Sequence, residues 1–383
     1  MSFDVIVVGT GTMGIAACGS LARRGARVLG LDQFNIPHDQ GSHSGYTRII
    51  RQAYYEHPGY VPLLQRSYQL WQDLESDQNL KLYHETGILY MGQADSPILE
   101  GTLKASSLYG IPVQVGEVNQ MLQEHTQFTI PHDWKLLWEP HAGYLNVNQS
   151  LSGFYHQALA AGATILTGEK VESWKLVDGH IEVHTGKQTY QAEKLILTAG
   201  PWMEGLLTAY GLPLKVTRQV LAWIDVPEPQ MYSDPQFSSW FLHDPAMGMF
   251  YGFPLSKTGN PEEPKGIKLG LHMPGLITHP DQVDRAIHDT DKETIQYFID
   301  KYMPQLRNQH LQFKTCMYTY TPDEHFIVDY LPETDKNVMI AGGFSGHGFK
   351  FAPVIGEILT DLFHENRSAF DLGFLGLNRF QKI

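Results

Sequence analysis

The chain has 383 residues, 42% hydrophobic and 18% charged, with a net charge of −13. That length suits two domains, and the composition is that of an ordinary folded soluble protein. So acidic a field repels duplex nucleic acid and anionic membranes, so neither is expected as a partner.

The first stretch organises the rest. Phe3-Asp4 leads into Val5 to Val8, a solid apolar run, the mark of a strand buried on both faces. Gly9-Thr10-Gly11-Thr12-Met13-Gly14 follows and opens a helix that runs on toward Gly25. A second apolar run, Ala26 to Leu31, ends in Asp32. Gly9 permits the tight turn, Gly11 lets backbone approach a pyrophosphate, and Gly14 lets helix pack on sheet. The helix N-terminus then offers free N–H groups to phosphate. Asp32 can hold a ribose diol, which argues against a 2′-phosphate but suits NAD and FAD equally.

From Phe34 to Gly45 the chain is rich in Pro, His, Ser and Gly and reads as loop. Arg48 and Arg51 follow, three apart, and on a helix they share a face. They are either two surface cations or a clamp for an anionic ligand, for which Arg is the usual choice. Tyr60 to Leu74 has helical periodicity, Tyr83 to Met91 reads as strand, and Glu100 to Tyr109 as helix. Polar loops continue to Ala142.

Leu151 to Ala161 is expected as helix, and Ala163 to Leu166 and Lys170 to Trp174 as strands. His180 to His184 and Gln188 to Tyr190 flank Gly186 as a hairpin. Lys194 to Gly200 is a buried strand ending in small residues, where backbone can pass beside a flat ligand. Val216 to Ile224 is strand-like, and Met249 to Pro254 pairs with Gly266 to His272. Lys268 and His272 face one side of that strand; Ile267, Leu269 and Leu271 face the other. The aromatic segment from Trp240 to Met249 reads as core in preference to a roomy pocket. Thr290 to Leu306 is helical. Asn337 to Gly343 is a strand, the glycine-rich run to Lys350 a loop, and Ala352 to Phe363 a helix, giving a second convergence of backbone N–H groups.

The two cysteines, Cys18 and Cys316, give no disulfide framework and suit a reducing compartment. Cys18 falls in the first helix as a small packing residue. The eighteen histidines are scattered, and no spacing fits a metal site. The short apolar N-terminus is not a signal peptide, no run approaches a membrane span, and Asn378-Arg379-Phe380-Gln381-Lys382-Ile383 is no peroxisomal address; a cytoplasmic protein is expected.

Three blocks are specific together with the N-terminal fingerprint: Gly41-Ser42-His43-Ser44-Gly45-Tyr46-Thr47-Arg48-Ile49-Ile50-Arg51, then Cys316-Met317-Tyr318-Thr319 with Pro322-Asp323-Glu324, then Gly343-Phe344-Ser345-Gly346-His347-Gly348-Phe349-Lys350. Over essentially its whole length the chain resembles the monomeric sarcosine oxidase family, which includes N-methyltryptophan and pipecolate oxidases. The resemblance implies a mixed α/β chain. A Rossmann-like FAD-binding domain of p-hydroxybenzoate-hydroxylase-like type would comprise residues 1–84, 143–214 and 321–383. A substrate domain on a mixed β-sheet would comprise residues 85–142 and 215–320.

The resemblance also implies an FAD-dependent oxidase of secondary amino acids, monomeric, with the flavin linked through its 8α-methyl to Cys316. Hydride would pass from the N-alkyl carbon to flavin N5, water would hydrolyse the imine, and O2 would reoxidise the flavin to give hydrogen peroxide. FAD would be held by Gly9, Gly11, Thr12, Met13, Gly14, Asp32, Gln33, Ser42, His43, Arg48, Ile49, Val171, Gly200, Trp202, Cys316, Gly346, His347, Gly348, Phe349 and Lys350. Arg51 and Lys350 would clamp the substrate carboxylate, and Tyr251, His272 and Tyr318 would line the substrate side. His272 would hold positive charge that favours the neutral amine. Lys268 would sit near N5 and stabilise superoxide, and Arg48 would lie near the ring. Two residues depart from the family: His43-Ser44-Gly45-Tyr46 stands in place of His-His-Gly-Asp, which removes a titratable neighbour of the flavin and puts an aromatic at the site entrance. Cyclic or glycated amino acids are alternative substrates, and a dehydrogenase with another acceptor, an NAD enzyme or a non-catalytic dinucleotide-binding protein are alternative functions.

Overall fold

The computed structural model describes residues 3–117 and 125–380. Residues 118–124, part of the stretch expected as polar loop, and Gln381-Lys382-Ile383 of the C-terminal run lie outside the described residues.

The first sheet grows from the N-terminal strand. Phe3–Val8 pairs in parallel with Val28–Leu31 across the helix Thr12–Arg23, and Thr164–Leu166 adds beyond Val28–Leu31. On the other edge lies Thr189–Leu197, also parallel to Phe3–Val8. The runs expected separately at Gln188 to Tyr190 and Lys194 to Gly200 are therefore one strand. Its first half pairs with His180–Thr185 in the expected hairpin, and its second half pairs in parallel with Val338–Gly342. Both faces are covered, as a parallel sheet requires. Val5 and Val7 pack beneath Thr12–Arg23 with the helices Tyr60–Gln78, Val147–Ala160 and Ala352–Glu365, whereas Ile6 and Val8 face a second core with Leu29, Leu195 and Ile340.

The second sheet is mixed. Its order is Leu311–Tyr320, Lys215–Ile224, Ile267–His272, Gly248–Gly252, Ser239–Asp244, Ile88–Gly92, Lys135–Glu139 and Gln114–Glu117. Period-2 alternation sorts it into two faces. Leu89, Trp240, Leu242, Phe250 and Leu269 pack under the helix Asp289–Tyr302. Ile88, Tyr90, Phe241, Met249, Tyr251, Cys316 and Tyr318 share the opposite face. The segment from Trp240 to Met249 is thus core and site wall by turns.

A third sheet of three strands joins Thr47–Ile50, Gly143–Asn146 and Tyr83–Glu85. Two expectations change here. Arg48 lies on a strand and Arg51 just beyond it, so they do not share a helix face. The run from Tyr83 to Met91 is two strands in different sheets, broken at Gly87. Gly87 has φ +65°, and a Cβ there would collide with the Trp138 ring.

Candidate active site

A cleft of about 530 Å³ opens at the C-terminal ends of the first sheet's strands. The turn at Gly9 (φ +87°) passes so close to the next strand that a Cβ would stand 2.6 Å from Ala199 Cα, and one on Gly14 would collide with the Gly9 carbonyl. Thr198 Oγ1 donates to Gly9 O at 2.8 Å and fixes the turn. A Cβ on Gly11 would meet only the His43 ring, at 3.8 Å, so Gly11 leaves its face of the cleft open to a ligand. Asp32 is buried at the end of Val28–Leu31, and its Oδ1 accepts the Phe34 N–H at 2.9 Å. Burial raises its pKa, against the pull of that N–H and of His38. This is the cradle a dinucleotide needs: backbone without Cβ atoms toward the pyrophosphate, and a buried carboxylate for the ribose.

Of the residues named from the sequence, Gly9, Gly11, Thr12, Met13, Asp32, Gln33, Ser42, His43, Arg48, Val171, Gly200, Trp202, Gly346, Gly348 and Phe349 line this cleft. Gly14 lies beneath it. His43 is held by its Nε2, 2.6 Å from the His38 carbonyl, so Nε2 carries the proton; burial lowers its pKa to about 3 and the ring is neutral.

A second, smaller cavity of about 50 Å³ adjoins the first. Arg48, Tyr318, Gly346 and Phe349 line both and form their common wall. Gly346 has φ +80°, and a Cβ there would collide with the Tyr318 ring and approach His272 Cε1 to 2.9 Å. Arg51, Ile49, Tyr251, His272, His347 and Lys350, all named from the sequence, line the small cavity.

Arg51 is only 1% exposed. Its Nη2 donates to both Glu56 carboxylate oxygens, at 2.7 and 2.6 Å, and Nη1 to Ala53 O at 3.0 Å. Its Nε, among the described residues, has no hydrogen-bond partner. The guanidinium stacks on Tyr54 (4.1 Å) and Tyr55 (4.6 Å). Behind it the buried Glu139 accepts the Gln52 and Ala53 N–H groups at 2.6 and 3.2 Å and the Tyr90 hydroxyl at 2.7 Å. Those bonds fix the turn that presents Arg51.

Lys350 enters on a short helical turn, Phe349–Phe351, at the head of Ala352–Glu365. Its Nζ donates to His347 O at 2.8 Å and to Tyr54 Oη at 3.3 Å. Burial, then neighbouring Arg51, pulls its pKa down to about 7. The Tyr54 hydroxyl donates to His347 Nδ1 at 2.6 Å, while His347 Nε2 donates to Glu324 O at 3.0 Å.

Two expected placements change, those of His272's charge and of Tyr46. His272 is expected to hold positive charge; burial, then His347, lowers its pKa to about 3, so its imidazole is neutral and the basic side chains lining the cavity are Arg48, Arg51 and Lys350. Lys268 lines neither cavity: its Nζ donates to Gly45 O (2.7 Å), Thr47 O (2.6 Å) and Thr47 Oγ1 (2.8 Å), strapping the loop beneath their common wall. Burial, then Arg48, lowers its pKa, while the two carbonyl oxygens, which only accept, favour the ammonium. Arg48 ties the same loop through Ser42 O, Ser44 O, Gly45 O and Thr47 O. Tyr46 is not at the entrance. It is buried against Trp223, with its hydroxyl donating to Glu262 O at 2.9 Å. Ser44 Oγ, where the family has His, is buried and has no hydrogen-bond partner among the described residues.

Cys316 is 1% exposed and lines neither cavity; two residues before Tyr318, it shares that residue's strand and sheet face. Burial raises its thiol pKa, opposed by Arg48 and Lys268. Cys18 is fully buried in the first helix. Sequence reasoning missed Tyr54, Tyr55, Glu56 and Glu139; no spacing rule links them to Arg51, because the fold brings them there.

The profile of the FAD dependent oxidoreductase family, DAO, matches residues 4–362. The chain belongs to this family of FAD-dependent oxidoreductases. Within it the chain is 37% identical over 382 residues to monomeric sarcosine oxidase of Bacillus sp. (strain B-0618), covering 98% of this chain and 96% of the relative. It is 32% identical over 384 residues to N-methyl-L-tryptophan oxidase of Yersinia pestis (strain Pestoides F), covering both completely. Among solved structures, NikD, an amino acid oxidase essential for nikkomycin biosynthesis, superposes with a TM-score of 0.84 at 26% identity, covering 98% of this chain and 97% of that one. No helix among the described residues is long and apolar enough to cross a membrane.

Proposed function

We propose that this chain oxidises secondary amino acids, N-methyl amino acids above all, and reduces O2 to hydrogen peroxide. One observation carries the reading: two buried cations, Arg51 and Lys350, converge in a small cavity whose Tyr318–Gly346 wall is shared with the dinucleotide cleft. The chemistry that FAD supplies when bound is to accept a hydride from the substrate's N-alkyl carbon and return the electrons to O2.

The chain's own residues do the rest. The substrate carboxylate takes the place of Glu56 on Arg51, bidentate, and receives a further charge-assisted bond from Lys350. That fixes the amine and its N-alkyl group against the common wall and converts binding into orientation. The positive field of Arg51 and Lys350 favours the neutral amine, the form able to lose hydride. Tyr251, neutral His272 and Tyr318 exclude water from the reacting centre. Arg48 in the common wall and Lys268 beneath it hold positive charge where O2 reduction develops negative charge. Cys316 would hold the flavin through a thioether to its 8α-methyl, the two electrons released as the S–C bond replaces the thiol S–H and a methyl C–H passing through the flavin to O2; its place on the strand that also bears Tyr318 supports this. His43, Asp32 and the Gly9–Gly14 turn hold the dinucleotide. Residues 1–84, 143–214 and 321–383 form the FAD domain and residues 85–142 and 215–320 the substrate domain, a division supported by the separate sheets. The protein acts as a cytoplasmic monomer.

Peroxide release from sarcosine and from its methyl ester tests the reading. The ester lacks the anion, and losing a buried charge partner should lower kcat/KM by roughly 30-fold or more. Equal turnover of acid and ester contradicts the proposed anchor.

A further inference from the structure

The small cavity offers about 50 Å³, and on the same measure one water takes roughly 10–15 Å³. About four water-sized positions are open, plus the space that the Glu56 carboxylate vacates on Arg51. That space is closer in scale to N-methylglycine than to a substrate that adds an indole or a piperidine ring.

Tyr55, Phe241 and Met249 form one side of the cavity. Phe241 and Met249 stand on sheet strands, with positions fixed by main-chain pairing. Tyr55 sits in the loop between Thr47–Ile50 and the helix Tyr60–Gln78. Its ring lies under the Arg51 guanidinium at 4.6 Å and edge-on to Phe241 at 6.4 Å, and its hydroxyl donates to Met249 Sδ at 3.4 Å. One aromatic side chain on a loop thus stands directly against the carboxylate anchor.

We infer that Tyr55 sets the size limit of the substrate, so that the site takes N-methylglycine-sized amino acids and excludes those with bulky α-substituents or fused rings. The limit presupposes the secondary-amino-acid oxidase proposed above. It acts by volume, not by the hydroxyl, because the bond to a thioether sulfur is weak.

The test is anaerobic flavin reduction of the holoenzyme by sarcosine, N-methylalanine, proline, pipecolate and N-methyltryptophan, for wild type, Tyr55→Ala and Tyr55→Phe. In wild type, kcat/KM falls with size, by roughly 100-fold or more between sarcosine and N-methyltryptophan. Tyr55→Ala raises the ratio of N-methyltryptophan to sarcosine by about tenfold or more, whereas Tyr55→Phe leaves it within about twofold. A wild-type ratio near unity, or an unchanged ratio in folded, flavin-loaded Tyr55→Ala, overturns the size limit and leaves the oxidase reading standing. Reduction by no member of the series overturns both. Should Tyr55→Ala not fold, wild-type flavin spectra titrated with propionate and indole-3-propionate decide: binding of the first alone supports the limit, and equal binding overturns it.

Discussion

Lys350 should make carboxylate binding depend on pH in a way that one substitution abolishes. Its ammonium is buried beside Arg51, with Arg48, Glu56, Tyr54 and His347 as its other polar neighbours, and its pKa falls to about 7. As pH rises through about 7 the group loses its proton and its attraction for an anion. Below pH about 6 roughly nine-tenths of the empty sites carry the charge; at pH about 8 roughly one-tenth do. His272 and His43, each lowered to about 3, stay neutral throughout. Propionate is the ligand of choice, because it lacks the titrating amine of a substrate. Its Kd, read from the flavin spectrum, should be flat below pH about 6 and rise about tenfold per unit above 7. Lys350→Met should weaken binding at pH about 6 by roughly 10- to 100-fold, the value of one charge-assisted hydrogen bond, and should flatten the profile. A wild-type Kd constant through this range, or the same slope in Lys350→Met, refutes the role given to Lys350.

Cys316→Ala should leave flavin that acid precipitation releases into the supernatant; flavin that still pellets with this variant excludes the thioether at Cys316. Lys268→Met should slow reoxidation by O2 far more than anaerobic reduction, and equal slowing of both half-reactions removes its electrostatic role. Glu139→Gln replaces a buried carboxyl group that accepts two main-chain N–H groups and the Tyr90 hydroxyl behind Arg51. It should raise KM for sarcosine more than it lowers kcat, by about 1–3 kcal/mol in binding; an unchanged KM shows that Arg51 does not need this support.

The parts of the molecule legible in the sequence are those whose cause is local. The strand–turn–helix from Phe3 to Arg23 is fixed by its own glycines and apolar run. The placing of Lys268 and His272 opposite Leu269 follows from the pleat alone. Elements set by distant partners were not legible. Thr47–Ile50 is a strand because Gly143–Asn146 pairs with it, so Arg48 and Arg51 part company. The run through Gly87 breaks because Trp138 packs where a Cβ would stand. Glu56 and Tyr55 reach Arg51 through a loop, and Glu139 through the far end of another sheet strand. The charge of His272 was misjudged because burial, which decides it, is a property of the fold and not of the motif.

The central claim is that this chain's flavin takes electrons from a carboxylate-anchored secondary amine and gives them to O2. Rapid mixing of the yellow holoprotein with sarcosine under anaerobic conditions, followed by O2, tests it most directly. The account predicts loss of the flavin's visible absorbance on the first mix, and on the second its return with an equivalent of hydrogen peroxide. A flavin that no secondary amino acid bleaches, or one that stays bleached in O2 without releasing peroxide, contradicts it.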